Sequence, residues 1–411
     1  MKSNEAERSG SYLAAYLTQE RLAIYPRMFV LVYAILIGIG LLQSRAGVMP
    51  SGKPIGYDFI AFWSASWLAL AGSPLSAYST SIVTALQAQI LPGTTATAEW
   101  IYPPLFLLMV WPLALLPYLL SYLVFVVSTL TAYGAVLRKI APAGVDGLLL
   151  LAFPGVVINA LQGQNGFLTA ALMGAGLLFL PARPIWAGIA FGLLTLKPHL
   201  GLLLPLALIA TRQWRAFFAA AVTTLALVAI SLATFGVETW LAFIDQLPNV
   251  ADRMSNDPDL HRKAPTVLAL ARTVGLSTPL ACGLHAVVAT LVAFLAILVW
   301  RRERDTAIRN ATLVTASLLT SPYLLDYDLA WMALPMVWLI ASAQAGGWRR
   351  GDHEWLLLAW LMPVLPSLSL AVTGVQLAPL VMLGLFLWLV RRSLKDAADK
   401  VVWTVGEAKA A

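Results

Sequence analysis

Several short segments place charged or hydrogen-bonding side chains among neighbours that are almost wholly apolar. In Gly56-Tyr57-Asp58-Phe59, a lone carboxylate stands just ahead of a helix-like apolar run that includes Trp63. It can take a proton from a hydroxyl, or cap the helix by bonding its first amides. A cap would lower its pKa and desolvation would raise it, so the sequence alone gives no net direction. Lys197-Pro198-His199 breaks a long apolar stretch near its middle, with Lys197 roughly 18 Å from the start of that stretch if the helix is straight. A cation at that depth either meets an anion such as a phosphate or pairs with a buried carboxylate. Gln162-Gly163-Gln164-Asn165-Gly166 is a glycine turn whose Gln164 and Asn165 amides suit hydroxyl ligands. Ser321-Pro322-Tyr323 followed by Asp326-Tyr327-Asp328 has the composition of a polar rim, and equally of a solvated turn. Arg253, Arg262 and Lys263 lie in a charged segment that suits a phosphate or plain solvation.

The elements that must hold these residues are membrane helices. Hydrophobic residues make up 60% of the 411 and charged residues only 11%, against roughly a quarter in soluble domains. This composition excludes disorder, a nucleic-acid-binding module and a soluble enzyme. The net charge of +7 is therefore read by location. A single cysteine, Cys282, excludes an internal disulfide, and four scattered histidines suggest no metal site. No P-loop is present, and no organic cofactor is expected.

Apolar runs and breakers predict an all-α polytopic protein of about twelve spans, near 28–43, 103–116, 119–137, 147–160, 167–181, 185–211, 216–235, 283–300, 310–325, 329–341, 355–370 and 376–390. The first is read as a retained helix rather than a cleaved signal. One membrane domain thus covers 1–411: first span 28–43, outer loop 44–102, core spans 103–235, second outer loop 236–282, C-terminal spans 283–390 and tail 391–411. With both termini cytoplasmic, 17 of the 27 Lys and Arg fall on the inner side and 9 on the outer. Arg138, Lys139 and Arg183 then sit on the disfavoured outer side, and the Gln162–Gly166 turn faces the cytoplasm, away from Asp58. Within 44–102, Phe59, Phe62, Trp63, Trp67 and Leu70 share a helical face and predict a helix lying in the membrane interface. A second short helix is expected over 81–90. Trp100 and Tyr102 close the loop as belt aromatics or as part of a site beside Asp58.

The ordered set Tyr57-Asp58-Phe59, Phe62-Trp63, Gly72-Ser73-Pro74 with Tyr78, Tyr102-Pro103-Pro104-Leu105-Phe106, Pro112-Leu113, Leu116-Pro117, Gly163-Gln164-Asn165, Leu196-Lys197-Pro198-His199 and Ser321-Pro322 resembles glycosyltransferase family 87 along about residues 55–330. The resemblance implies a GT-C-like membrane fold and a mannosyltransferase fed by a polyprenyl-phosphate-linked sugar donor on the outer face of the cytoplasmic membrane. The acceptor is then a lipid or glycan, and the anomeric centre inverts. An acidic residue of the first outer loop is the base, a position that Asp58 occupies. Tyr57, Trp63, Tyr102, Gln164, Asn165, Lys197, His199, Arg262, Lys263, Tyr323, Asp326 and Asp328 are the candidates for holding donor and acceptor, with Lys197 as the phosphate's cation. Tyr323 stands where the family often has histidine. The partners expected are these substrates and membrane lipid, and no nucleic acid. The competing reading is a secondary transporter or lipid flippase, which an intramembrane lysine and a broken span would also suit.

Overall fold

In a computed structural model of the chain, which describes Tyr16 and residues 19–95 and 97–410, the last stretch 395–410 by backbone only, nearly every segment is helical. Among the described residues only isolated bridges, Arg45 with Val48 and Val48 with Pro54, interrupt this pattern. Most of the N-terminal segment before the first span, with Lys2 and Arg8, lies outside the described residues, as do the side chains beyond Leu394.

Among the described residues, five helices are long and apolar enough to cross a bilayer: Glu20–Gln43, Tyr118–Ile140, Trp214–Phe235, Thr278–Arg302 and Asp326–Gly346. A sixth is possible if Asp352–Leu361 and Leu365–Thr373, bent by 84°, act as one span. The remaining apolar stretches are shorter helices such as Gly166–Phe179 and Pro184–Leu193. Leu31, Leu36, Leu225, Leu291 and Phe294 point outward, the arrangement expected of helices solvated by lipid rather than water.

Small residues set the closest packing. A Cβ on Gly188 would fall 2.4 Å from the Ala216 carbonyl oxygen, and one on Gly192 would fall 2.5 Å from Thr223 Cβ. Only glycine allows the Pro184–Leu193 helix to lie so close to Trp214–Phe235. Because Gly188 meets 216–220 and Gly192 meets 220–223, the two helices run in the same direction. At one end of the bundle, Asp352 pairs with the buried Arg392, whose Nη2 donates to Ser342 Oγ at 3.3 Å; that hydroxyl donates to Asp305 Oδ2 at 2.6 Å. Four helices are joined there by one buried polar network.

The first long loop differs from the expectation of an interfacial shelf. Phe59–Leu70 is helical as predicted, but Phe59, Phe62, Ala61 and Ser64 are all buried. Phe62 meets Trp100, Tyr102, Phe106 and Phe125 at ring-centroid distances of 6.1, 5.4, 5.3 and 5.6 Å. Phe59 and Phe62 of the stripe face a protein core because the segment after the loop folds back over them, while Trp67 and Leu70 remain exposed. Residues 104–115 form two short helical turns instead of the span expected over 103–116. Their start and finish both touch the loop: Tyr78 Oη donates to the Tyr102 carbonyl at 2.8 Å, and Trp63 Nε1 donates to the Leu116 carbonyl at 3.0 Å. Ser66 Oγ also donates to the Trp111 carbonyl at 2.6 Å. Both ends of the segment are therefore tied to the first loop. The second short helix runs Thr80–Ile90.

The second long loop is mainly helical: Val237–Asn256, Pro258–Lys263 and Val267–Thr273. The turn after the bent pair anchors it. Gln376 Nε2 donates to the His261 carbonyl at 3.0 Å, and the Gln376 N–H donates to Thr273 Oγ1 at 3.1 Å.

Candidate functional site

Asp58 sits at the cap position of Phe59–Leu70, but its side chain makes no bond to the helix amides. The capping reading is therefore replaced: Gln164 Nε2 donates to Asp58 Oδ2 at 3.0 Å. Gln164 cannot present the other end of its amide, because the Asn165 N–H donates to Gln164 Oε1 at 3.2 Å, and Tyr102 Oη donates to the same oxygen at 3.0 Å. The pair of bonds assigns the amide orientation and aims its N–H at the carboxylate. Sequence reasoning placed the Gln162–Gly166 turn on the opposite side of the membrane from Asp58. The structure puts it in contact, since the Asp58 N–H donates to the Gln162 carbonyl at 3.0 Å.

Local chemistry explains the meeting. Gly163 has φ +66°, and a Cβ there would lie 2.6 Å from Phe59 Cβ, so the turn needs glycine both for its backbone and for its closeness to the loop. Two tyrosines on Tyr118–Ile140 brace both partners. Tyr118 Oη donates to the Ile55 carbonyl at 2.6 Å, and Tyr122 Oη donates to the Ala160 carbonyl at 2.7 Å.

Asp58 is partly open, yet packing around its carboxyl raises its pKa to about 6. Burial is the main cause; the Gln164 bond and the Lys263 charge pull the other way, while Asp326 adds to the rise. A base with that value is ionised at neutral pH and still basic enough to accept a proton. Lys263 Nζ donates to Tyr57 Oη at 2.6 Å. Burial lowers the pKa of that ammonium, but Tyr57, Asp326 and Asp58 outweigh it and the net shift is upward, so Lys263 stays charged.

Lys197 departs from its expected part. It is only 1% exposed, and its Nζ lies 2.6 Å from Asp328 Oδ1, with Asp328 0% exposed. The same ammonium stands 4.5 Å from the centre of the Tyr327 ring. Its charge is matched here by a buried carboxylate, the arrangement that the sequence left open beside a role in phosphate binding. The segment Asp326–Met332 that carries its partner is fixed from two sides: Tyr133 Oη donates to the Ala330 carbonyl at 2.8 Å, and Trp331 Nε1 donates to Thr169 Oγ1 at 2.9 Å. Asp326 accepts from Gln162 Nε2 at 3.2 Å. The solvated-turn reading of 321–328 fails, because Asp326, Tyr327 and Asp328 are buried.

The remaining candidates divide. His199 packs edge-on against Tyr323, ring centroids 5.2 Å apart, which puts both beside the Lys197 segment. Asn165 is 0% exposed, and neither of its side-chain polar atoms bonds to another protein group. Trp63 is a packing residue, bonded to Leu116 and edge-on to Tyr118. Arg262 turns outward, 68% exposed, 3.8 Å from Asp259, and does not join the cluster. Glu99 is engaged by Arg253. The sequence did not single out Gln162, Tyr118, Tyr122, Lys53 or Gln376. Gln162 had a signal, since it belongs to the same amide-rich turn as Gln164; the others carried none.

The cluster unites a partly open carboxylate, an oriented amide, a charged lysine and a neutralised ion pair, all at one side of a lipid-facing bundle. Such a set can deprotonate a hydroxyl and accommodate an anion. Compared with known families, residues 100–322 match Glycosyltransferase family 87. No curated protein and no solved structure matches. The matched stretch is more than half of the chain; it includes Tyr102, the Gln162–Gly166 turn and Lys197, and leaves Asp58, Asp326, Asp328 and Gln376 outside. On that match, with its members' sugar-transfer chemistry suited to the carboxylate described above, the chain belongs to glycosyltransferase family 87, and it is a membrane glycosyltransferase.

Proposed function

We propose that the protein transfers a sugar, mannose by its family resemblance, from a polyprenyl-phosphate donor to a lipid or glycan acceptor, with inversion. The observation that carries this reading is the geometry around Asp58. It is the one carboxylate of the cluster left partly open; Asp328 is committed to Lys197, and Asp326 is buried against Gln162. In the reaction the acceptor oxygen bonds to the anomeric carbon as the carbon–oxygen bond to phosphate breaks. The electron pair leaves with the polyprenyl phosphate, and the hydroxyl proton passes to Asp58. One base and a single displacement give inversion. A positioned base of this kind is worth roughly 10²–10⁴-fold.

The site faces outward from the cytoplasmic membrane, with both termini inside. Two revisions to the spans support this orientation. Segment 103–116 stays on the Asp58 side, whereas 184–210 goes up to Lys197 and back down. The number of crossings stays at twelve, and Arg138, Lys139 and Arg183 move to the inner side, where the positive-inside rule favours them. Arg45, Lys53, Arg253, Arg262, Lys263 and Arg272 are left outside. The buried lysine, already paired, no longer argues for transport.

The test is transfer itself. Membranes containing the protein are given radiolabelled polyprenyl-phosphate mannose or, separately, a nucleotide-linked mannose. Label should enter a new glycolipid from the lipid-linked donor alone and be lost in Asp58→Asn. Equal use of the nucleotide sugar, or undiminished transfer by a folded Asp58→Asn protein, overturns the reading.

A further inference from the structure

Two lysines converge on one ring beside Asp58. Lys53 Nζ and Lys263 Nζ each lie 4.8 Å from the centre of the Tyr57 ring. A ring attracts a cation, but two ammonium groups held at the same ring repel one another. Among the described residues neither is bonded to a carboxylate. Lys263 spends its one observed hydrogen bond on the Tyr57 hydroxyl. The Asp58 and Asp326 carboxylates act on Lys263 from a distance without bonding it, so both ammonium groups keep donors that an anion can take up.

Both lysines are held by ordered backbone. Lys53 closes a tight turn in which its carbonyl accepts from the Met49 N–H at 2.8 Å and the Gly52 N–H donates to the Met49 carbonyl at 2.9 Å. The Thr95 N–H pins the same turn through the Gly52 carbonyl at 2.9 Å. Lys263 ends the Pro258–Lys263 helix, which Gln376 ties down through the His261 carbonyl. The two cations thus come from the two long loops and meet at the residue preceding the candidate base.

We propose that Lys53, Tyr57 and Lys263 form the seat of the donor's phosphate, leaving Lys197 as a structural partner of Asp328. This assignment rests on the polyprenyl-phosphate reading above. It also accounts for the number of cations. The donor is a phosphodiester with one negative charge. When the sugar leaves, the product is a phosphomonoester with about −1.5 to −2 at neutral pH. Two ammonium groups match the departing phosphate better than the bound donor, so they favour the transition state over the ground state. Lys263 holds the ring and one charge in place; Lys53, exposed at the surface, supplies the second charge as the bond breaks.

The experiment uses the full chain in nanodiscs and three probes: a polyprenyl monophosphate, the corresponding polyprenol, and phosphatidylglycerol as a competing source of lipid phosphate. The wild type should prefer the monophosphate to the polyprenol. That preference should fall about tenfold in Lys53→Gln and at least as far in Lys263→Gln, the scale of one lost charge-assisted bond. Lys53→Arg should keep most of it, and Lys139→Gln, an exposed cation at the far end of its helix, should keep all of it. Phosphatidylglycerol should not displace the monophosphate. A wild type that binds polyprenol and its phosphate equally defeats the donor reading and this seat together. A wild-type preference that survives in Lys53→Gln leaves the donor reading standing and removes the seat. Displacement by phosphatidylglycerol at matching concentration makes it a general lipid-phosphate site and overturns the assignment to the donor. Because Lys53 is exposed, its variants decide the matter even if Lys263→Gln folds poorly.

Discussion

The side-chain amide of Gln164 donates to the carboxylate of Asp58 at 3.0 Å, across 106 positions of sequence. That bond favours the ionised carboxylate and opposes the burial that raises its pKa to about 6. Transfer by wild type should therefore climb as pH rises through about 6 and level off above it, because only ionised Asp58 can accept the proton. Gln164→Leu removes an interaction with the charged form, so its midpoint should shift to higher pH. Tyr102→Phe removes one of the two donors that hold the amide and should shift it the same way by less. A pH profile of kcat/KM for the three proteins checks this. A midpoint that does not move in Gln164→Leu shows that the limiting ionisation belongs to another group.

Asp58→Asn should keep the bond from Gln164, since the asparagine oxygen accepts as the carboxylate does, but it cannot take a proton. Transfer should fall by about 10²–10⁴-fold while donor binding persists. Its effect on stability has a definite sign. The native pKa of about 6 lies above the ordinary 3.8, so between those values the native state holds more protons than the unfolded chain. Stability contributed by this group is thus lost as pH rises from about 4 to about 6. At pH 7 Asp58→Asn should melt at or above the wild-type temperature, and the difference should shrink on acidification. A melting series in detergent from pH 4 to pH 8 measures it.

For the buried pair Lys197–Asp328, breaking should cost more than replacing. Lys197→Met leaves Asp328 buried without a countercharge and should destabilise by roughly 3–5 kcal/mol, as should Asp328→Asn to a smaller extent. Lys197→Met with Asp328→Leu removes both charges and should recover most of the loss. If the pair is structural, the recovered double variant should regain much of its transfer activity too. A recovered fold with no activity would return Lys197 or Asp328 to the chemistry.

The topology has its own check in a Cys282→Ser background. Ser51→Cys should react with an impermeant maleimide added from outside, and Lys139→Cys should react only after the membrane is opened. Tyr118–Ile140 is a single helix of 23 residues, so its ends should lie on opposite faces. Labelling of both cysteines from one side would refute the proposed path of the chain.

The helical class and the first loop's short helices were legible because they depend on apolar periodicity, which is local. Asp58 was legible because an isolated acid ahead of an apolar helix is conspicuous. Its partnership with Gln164 was not: the amide-rich turn was conspicuous by itself, but nothing local links it to an acid 106 residues away, and counting 103–116 as a span put the two on opposite faces. Lys197 was conspicuous for its cost, and the sequence left its neutralisation by Asp328 open against a role in phosphate binding. Lys53 lies in an ordinary polar loop, and only the meeting of two loops at Tyr57 gives it meaning.

Gln376 donates to the His261 carbonyl and stands 3.4 Å from those of Arg262 and Pro366, so one amide serves as a latch between the C-terminal hairpin and the helix that ends in Lys263. The consequence is a mechanical link: the packing of the C-terminal turn helps to aim the lysine. Gln376→Glu, nearly identical in shape, would turn a donor toward carbonyl oxygens into an acceptor, and the two would repel. The C-terminal helix would stay packed through Met382, Phe386 and Leu389, but the turn would lose its hold on the His261 carbonyl, and the lysine would lose its bearing on Tyr57 although no residue near the reacting sugar had been altered.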